Sequence, residues 1–168
     1  MSDDKNHTMI DELNYPPILP KLALIMRGLP GSGKSYWVDQ FIASQGIELA
    51  IHIRQYGYFS TDRFFYQHGQ YQFNVQKLAQ YHQANLTGFI QALARNEPIV
   101  ICDNTNVARW EFMAYEAAAK AMGYQVRVVL VGTPKSHRHQ QLCAERNQHN
   151  VPLVHIQKMA QLFELDHD

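Results

Sequence analysis

The sequence predicts an α/β fold, a three-layer sandwich in which a mainly parallel sheet of four to five strands lies between helices. Short apolar runs alternate along the chain with longer segments whose apolar residues recur at helical spacing. The first apolar run is followed at once by a glycine-rich segment and then by an amphipathic one. Strands that alternate with helices are typical of doubly wound parallel sheets, in which ligands bind beyond the carboxyl ends of the strands.

Length and composition indicate one globular domain. The chain has 168 residues, of which 46% are hydrophobic, and this is enough for a well-buried core. It has no apolar run near the ~20 residues of a membrane helix, and its N-terminus lacks the basic and apolar regions of a signal peptide. The two cysteines, Cys102 and Cys143, indicate no disulfide framework. We therefore expect a cytoplasmic protein without membrane contact, and a monomer.

The N-terminal part of the chain is predicted to contain a tail, a strand and a helix. Residues 1–20 include three prolines close to their end and are expected to be a flexible tail. Residues 21–165 would then form a single domain. Its first strand is predicted at residues 21–27, and the helix after the glycine-rich segment is expected to end near Ser44.

The middle of the chain has weaker patterns. Residues 51–53 and 58–59 are strand candidates, because apolar or aromatic residues dominate both. Residues 66–74 are polar and aromatic and are interpreted as a loop. From Val75 to Leu93 the apolar residues recur at helical spacing, which predicts a long helix.

The remaining elements alternate regularly. Residues 98–102 predict a short buried strand. Residues 110–121 predict a helix that is closed by Gly123. Another strand is predicted at residues 125–131, and the apolar spacing in residues 153–163 predicts a last helix.

The glycine-rich segment matches the phosphate-binding consensus G-x-x-x-x-G-K-[ST] between a predicted strand and a predicted helix. Its glycines let backbone amides turn toward an anion, and the following helix directs its positive end to the same place. Lys34 can then reach the β- and γ-phosphates, and the Ser35 hydroxyl can bind Mg²⁺. The motif therefore predicts a site for ATP and Mg²⁺. It consists of Gly28, Leu29, Pro30, Gly31, Ser32, Gly33, Lys34 and Ser35.

Two aspartates are predicted to face the phosphates because each one follows a strand. Asp103 ends an apolar strand, which is the usual position of the acid that orients Mg²⁺. Asp62 is the candidate general base, which would accept the proton of an alcohol acceptor. For each aspartate the alternative is a helix cap. The pattern leaves open whether Asp62 or Asp103 is the base.

A lid is predicted at about residues 133–152. An arginine that folds over the transferred phosphate would neutralise its developing charge. Arg146 is the candidate for this role, and Arg138 is the reserve contact to the nucleotide, with a solvated helix face as its alternative. Over residues 135–158 the only acidic residue is Glu145, and the basic residues are Lys135, Arg138, Arg146 and Lys158.

Charge is unevenly distributed along the chain. The formal net charge is zero, yet residues 13–163 hold 14 basic and 8 acidic residues. Either acidic termini flank an ordinary domain, or the core is shaped to hold a polyanion.

An ordered set of motifs runs through the chain. They are Arg27 with the phosphate loop, Ser60-Thr61-Asp62, Tyr71-Gln72-Phe73-Asn74, the Leu78…His82…Asn85 spacing, Asp103-Asn104-Thr105-Asn106, and the residues from Arg146 to Pro152. Over about residues 22–164 this set resembles the kinase-like domain of the NEDD4-binding protein 2 group, which is similar to the 5′-kinase domain of phage polynucleotide kinase. The resemblance implies a P-loop NTPase with an adenylate-kinase-like sheet, ATP and Mg²⁺. It also implies that Asp62 is the base and Arg146 the lid arginine.

Two positions depart from the phage-type pattern. In that kinase an arginine three residues after the base grips the 3′-phosphate of the acceptor, whereas this chain has Phe65 there, with Arg63 nearby. The phage-type lid also has a second arginine soon after the first, where this chain has a shorter segment with His149.

The sequence therefore predicts a P-loop kinase that moves the γ-phosphate of ATP to a hydroxyl, first of all a polynucleotide 5′-hydroxyl. Tyr66, Tyr71 and Phe73 are candidates to stack on bases, or else they pack a loop onto the domain. A small-molecule kinase acting on a sugar, nucleoside or antibiotic is the alternative enzyme. A nucleotide-binding switch without an acceptor is the alternative from another class, and a candidate base at Asp62 argues against it.

Overall fold

A computed structural model of the protein describes residues 21–166, and the predicted tail at residues 1–20 lies outside the described part. The strands are β1 Leu22–Arg27, β2 Tyr58–Phe59, β3 Tyr66–Gln67, β4 Gln70–Tyr71, β5 Ile99–Asp103 and β6 Gln125–Leu130. The helices are α1 Lys34–Ala43, α2 Ile47–Tyr56, α3 Val75–Ala94, α4 Arg109–Ala121, α5 His137–Arg146 and α6 Leu153–Leu162, with a 3₁₀ helix at Thr61–Phe65.

Four strands form one parallel sheet in the order β2-β5-β1-β6. In its register, Leu22 of β1 lies opposite Ile99 of β5 on one side and Gln125 of β6 on the other. The predicted α/β class with a parallel four-stranded sheet is thus confirmed. Because the strands are parallel, their carboxyl ends share one edge, and the segments that follow β1, β2 and β5 become neighbours there.

Helices cover both faces of the sheet because alternate residues of a strand point to opposite sides. Ala23 and Ile25 of β1 face α3 and α4, whereas Leu24 and Met26 face α1 and α2. Nearly continuous apolar strands are expected when both faces are buried. The α3 and α4 core includes Phe89, Ala92, Leu93, Phe112, Tyr115 and Ala119, and the α1 and α2 core includes Val38, Ile42 and Ile53.

A third apolar cluster joins the phosphate-binding loop to the last two helices. Leu29 of the loop is fully buried and packs in one cluster with Cys143 of α5 and Ile156 of α6. The C-terminal Phe163 belongs to the same cluster. The segment predicted as a polar lid therefore contains a helix, α5, with one buried side anchored beside the phosphate-binding loop.

Arg27, the residue before this loop, is buried and ties the C-terminal segment to the sheet. Its guanidinium donates to the backbone oxygens of Asn106 and Val107, at 2.9 and 3.0 Å, and to that of Glu164. The guanidinium also lies over the rings of Phe112 and Phe163. A buried cation with these contacts is satisfied inside the fold, so Arg27 has a structural role.

Residues 51–53 were predicted as a strand candidate, and this was wrong: they lie within helix α2. The buried residue of α2 is Ile53, whereas Ile47 and Ile51 are 83% and 61% exposed. The alternation of Ile51 and Ile53 reflects one exposed and one buried helical position rather than one face of a strand.

Residues 66–74, interpreted as a loop, include an antiparallel hairpin of β3 and β4. Its two turn residues, His68 and Gly69, both have positive φ, 51° and 77°. That combination is the one that a tight type I′ hairpin turn requires.

The other predicted elements are confirmed within a few residues: β1, α1, β2, α3, β5, α4, β6 and α6. Gly123 follows α4 with φ 81°, which is the left-handed conformation that ends many helices. Within residues 21–166, no helix combines the length and the apolar character needed to cross a membrane.

Candidate active site

The phosphate-binding loop lies between the end of β1 and the first turn of α1, with Lys34 as the first residue of that helix. Gly31 has φ 79°, and a Cβ atom there would overlap the carbonyl oxygen of Cys143. The same Cβ would lie 2.9 Å from the amide nitrogen of Asn147. Only glycine therefore fits at this position, and the C-terminal end of α5 lies directly against the loop.

Lys34 lies partly buried under the loop. Its Nζ donates to the backbone oxygens of Gly28 and Leu29, at 3.1 and 3.3 Å. Burial lowers the pKa of the Lys34 amine, while the negative charges of Asp103 and Asp62 act in the opposite direction.

Asp103 is 5% exposed at the end of β5. Its Oδ2 accepts a 2.5 Å hydrogen bond from the hydroxyl of Tyr58, whereas Oδ1 is buried with no partner in the described part of the chain. Burial raises the pKa of Asp103, and the charge of Lys34 and the Tyr58 bond oppose this effect. Because α4 begins only at Arg109, after Ala108, the alternative that Asp103 caps it is wrong.

The donor set fits a divalent cation. An unpaired, buried carboxylate oxygen is a costly feature that a bound cation would remove. Ser35, in the first turn of α1, is exposed and leaves its hydroxyl available. A carboxylate and a hydroxyl are the oxygen ligands that Mg²⁺ accepts beside phosphate and water.

The segment after Asp103 bonds the surrounding loops together. The side-chain oxygen of Asn104 accepts from the amide of Thr61 at 2.9 Å, next to the candidate base. The backbone oxygen of Thr105 accepts from the amide of Gly28 at 3.0 Å. Asn106, with φ 47°, donates to the backbone oxygen of Met26 at 2.7 Å. This segment therefore holds the phosphate-binding loop and the Asp62 turn in one frame.

Asp62 lies in the 3₁₀ helix that follows β2, and its side chain is 55% exposed. Its carboxylate is 3.6 Å from Nδ1 of His149. Because this helix begins after Ser60, Asp62 lies inside its first turn and not at the capping position, so the alternative that Asp62 is a cap is wrong. The adjoining Thr61 is held by His82 of α3, whose Nδ1 is 3.1 Å from the Thr61 hydroxyl.

The two arginines that were candidates for the lid, Arg138 and Arg146, lie on α5 and are both exposed. Arg146 ends this helix, beside the turn of residues 143–147 that contacts Gly31. Its charge lowers the pKa of Cys143 against the larger effect of burial, which raises it. Arg138 lies eight residues earlier, about two helical turns away. Of the two, Arg146 is the arginine that lies next to the phosphate-binding loop.

The structure shows where the two residues that depart from the phage-type pattern, Phe65 and His149, lie. Phe65 is 1% exposed and packs against Tyr71, Phe73 and Tyr81, so it belongs to the core of the hairpin region. His149 stacks on Tyr71 with ring centroids 3.7 Å apart and an angle of 4° between the rings.

The sequence did not reveal Tyr58 as the partner of Asp103. The only indication of this contact is the position of Tyr58 on β2, where it lies opposite Ile101, two residues before Asp103. Nor did it reveal that Tyr71 and His149 meet beside Asp62, because the hairpin turn that places Tyr71 there was interpreted as a loop.

Comparison with known proteins identifies the family of this chain. Residues 24–165 match a family model, AAA_33, that is described as an AAA domain. Human NEDD4-binding protein 2 is 31% identical over 141 residues, which is 84% of this chain and 8% of the relative. The resemblance to that group is confirmed, although the chain spans only 8% of the length of this curated relative.

Solved structures show the same fold. A gluconokinase from Sinorhizobium meliloti 1021 matches with a TM-score of 0.53 and 18% identity, over 86% of this chain and 76% of its own. Kti12 from Chaetomium thermophilum, solved with ADP-AlF3, matches with a TM-score of 0.53 and 21% identity, over 85% of this chain and 80% of its own. At these identities the likeness concerns the fold alone.

Proposed function

Because the chain belongs to the AAA_33 family of AAA domains, we propose that it is an ATP-dependent phosphotransferase that moves the γ-phosphate to a hydroxyl acceptor. The observation that carries this proposal is the set of hydrogen bonds after Asp103: Asn104 and Thr105 tie the turn of Asp62 and the phosphate-binding loop to the end of β5. The two carboxylates differ in burial, so they suit different roles: a buried metal ligand and an accessible base.

ATP would bind with its phosphates on residues 28–35, where backbone amides and the start of α1 face an anion. Lys34 would exchange its bonds to the Gly28 and Leu29 oxygens for the β- and γ-phosphates. Asp103 and Ser35 would hold Mg²⁺, which when bound neutralises charge on the phosphates. The bond from Tyr58 fixes one oxygen of Asp103 and leaves the other for the ion.

Asp62 would accept the proton of the acceptor hydroxyl while that oxygen attacks the γ-phosphate. Its exposed side chain lies where an acceptor can approach from solvent. The bonds of Thr61 to Asn104 and His82 hold the turn that carries it. Arg146 would place its charge over the transferred phosphate when the region of residues 133–152 closes.

The first acceptor that we propose is a polynucleotide 5′-hydroxyl. A small-molecule hydroxyl is the second candidate, and a specific observation favours it. The position of the phage-type phosphate-gripping arginine is occupied by Phe65, which lies in the core and cannot reach a ligand. An acceptor bound near Asp62 would therefore lack this contact to a 3′-phosphate.

An acceptor panel with labelled ATP tests the proposal. A 5′-hydroxyl oligonucleotide, a nucleoside and a set of sugars would be compared, with Asp62→Asn as the control for base-dependent transfer. Transfer to the oligonucleotide that Asp62→Asn abolishes supports the first acceptor, and transfer to a small molecule alone supports the second. ATP hydrolysis with no transfer to any member of the panel would contradict the phosphotransferase proposal and favour a nucleotide-dependent switch.

A further inference from the structure

We propose that Tyr71 and His149 are positioning residues that together hold the carboxylate of Asp62 in the orientation that proton transfer needs. This inference rests on the proposed function, because it takes Asp62 as the base. It assigns a role to the aromatic pair that joins the hairpin of β3 and β4 to the segment after α5.

The two rings form a face-to-face stack between distant parts of the chain. Their centroids are 3.7 Å apart and their planes differ by 4°. Tyr66 closes the side of the stack, with its ring 5.5 Å from that of Tyr71 and its hydroxyl 3.5 Å from Nε2 of His149. Stacked aromatic pairs contribute about 0.5–1.5 kcal/mol beyond the area that they bury.

The polar edges of the same two rings meet Asp62. Nδ1 of His149 lies 3.6 Å from its carboxylate. Burial, then the charge of Asp62 and a hydrogen bond with it, raise the pKa of the Tyr71 hydroxyl to about 12. A neutral tyrosine hydroxyl can donate to a carboxylate. An exposed carboxylate would otherwise sample several rotamers, and the stacked pair of Tyr71 and His149 beside it would restrict it.

Both partners are held rigidly from behind. Tyr71 packs on the buried ring of Phe65, 6.0 Å away in an edge-to-face arrangement. His149 lies in a tight loop that the side chain of Asn147 closes. The side-chain oxygen of Asn147 accepts from the Val151 nitrogen at 2.7 Å, and its side-chain nitrogen donates to the Val151 oxygen at 2.9 Å. A positioning pair is effective only when its own conformation is fixed in this way.

The pair also links the two sides of the site. Tyr71 comes from the acceptor side, whereas His149 follows Arg146 by three residues in the proposed lid. The stack therefore joins the hairpin beside Asp62 to the segment proposed as the lid.

Three substitutions separate the contributions of ring and donor. Tyr71→Phe keeps the stack and removes the hydroxyl. His149→Phe keeps a ring and removes the donor, and His149→Asn keeps a donor near the place of Nδ1 and removes the ring. His155→Phe is the matched control, because His155 is an exposed histidine on α6.

The first readout is transfer from labelled ATP to a 5′-hydroxyl oligonucleotide. We expect Tyr71→Phe and His149→Phe to lower kcat by about 10–100-fold, the effect of a displaced catalytic group, while KM for Mg·ATP changes less than about twofold. His149→Asn should recover part of this loss, and His155→Phe should behave as wild type. A merely structural role of the stacked ring would predict that His149→Phe, which keeps a ring, loses less activity than His149→Asn, and that result would overturn the inference.

The second readout needs no acceptor. In NMR spectra of the histidine ring nitrogens, Asp62→Asn should shift the signals of His149 and leave those of His155 unchanged. Unchanged His149 signals would overturn the inference.

The outcomes separate this inference from the proposed function. If Asp62→Asn lowers kcat but Tyr71→Phe and His149→Phe retain wild-type kcat, the base assignment stands and the inference fails. If Asp62→Asn itself turns over normally, both the base assignment and the inference fail.

Discussion

Replacing Gly31 by alanine tests whether the end of α5 rests on the phosphate-binding loop. The φ of 79° would cost an L-residue about 1–2 kcal/mol. In addition, the new Cβ would overlap the carbonyl oxygen of Cys143 and press on the amide of Asn147. Both are backbone groups, and Cys143 is fully buried beside Leu29, so they cannot turn aside as a flexible side chain would.

Gly123→Ala is the matched control. Gly123 has φ 81°, and among the described residues nothing lies within 4 Å of a Cβ placed there. This variant should lower the free energy of unfolding by about 1–2 kcal/mol through its backbone conformation alone. Gly31→Ala should lose the same amount and, as an overpacked position, about 1–3 kcal/mol more. At roughly 2–4 °C per kcal/mol for this size, it should melt about 2–12 °C below the control.

The assay combines thermal unfolding with calorimetric titration of Mg·ATP for both variants. We expect Gly31→Ala to weaken ATP binding as well, since the strain lies in the loop that holds the phosphates, and Gly123→Ala to bind normally. Equal melting temperatures together with equal ATP affinities would refute the contact between α5 and the loop.

Four further predictions concern the proposed reaction. Lys34→Ala should abolish turnover and weaken Mg·ATP binding in calorimetry, since the charge that meets the phosphates is lost; unchanged affinity and turnover would mean that the phosphates bind elsewhere. Asp62→Asn should keep ATP affinity and lower kcat by ~10²–10⁴, and normal turnover in steady-state assays would make Asp103 the candidate base. Residues 133–152 should exchange amide hydrogens faster without a Mg·ATP analogue than with it, and equal protection in both states would remove the lid and the role of Arg146. Oligonucleotide binding, if present, should weaken with salt at a log–log slope of about −0.7 per phosphate contact, with about two or three contacts; a much steeper slope would show more cationic contacts than we expect.

The sequence predicted those parts of the fold in which one local pattern of apolar residues determines the secondary structure. The strands β1 and β5 are apolar runs, and α3 has 20 residues of regular helical spacing. The interpretation failed at α2, where only Ile53 is buried and the exposed Ile47 and Ile51 disturb the pattern. Whether an isoleucine on this helix faces the core depends on how the helix lies on the sheet, which no local pattern contains.

The hairpin was missed for a related reason. Its signal is the pair His68 and Gly69, and a histidine at positive φ is uncommon outside such a turn. The aromatic residues around it suggested base stacking, yet Phe65 and Tyr71 first pack against each other.

What the sequence determined by itself is the fold class, the phosphate-binding loop and the two carboxylates that follow strands. These features lie in contiguous stretches, because an anion nest needs consecutive backbone amides and a parallel sheet brings every strand end to one edge. The tertiary structure alone decided which groups surround the two carboxylates. Tyr58 reaches Asp103 from the neighbouring strand β2, and the stacked rings beside Asp62 lie nine and 87 residues further along the chain than Asp62. Such contacts form because packed helices and a closed loop bring distant residues together. The spacing of residues along the chain therefore does not predict them.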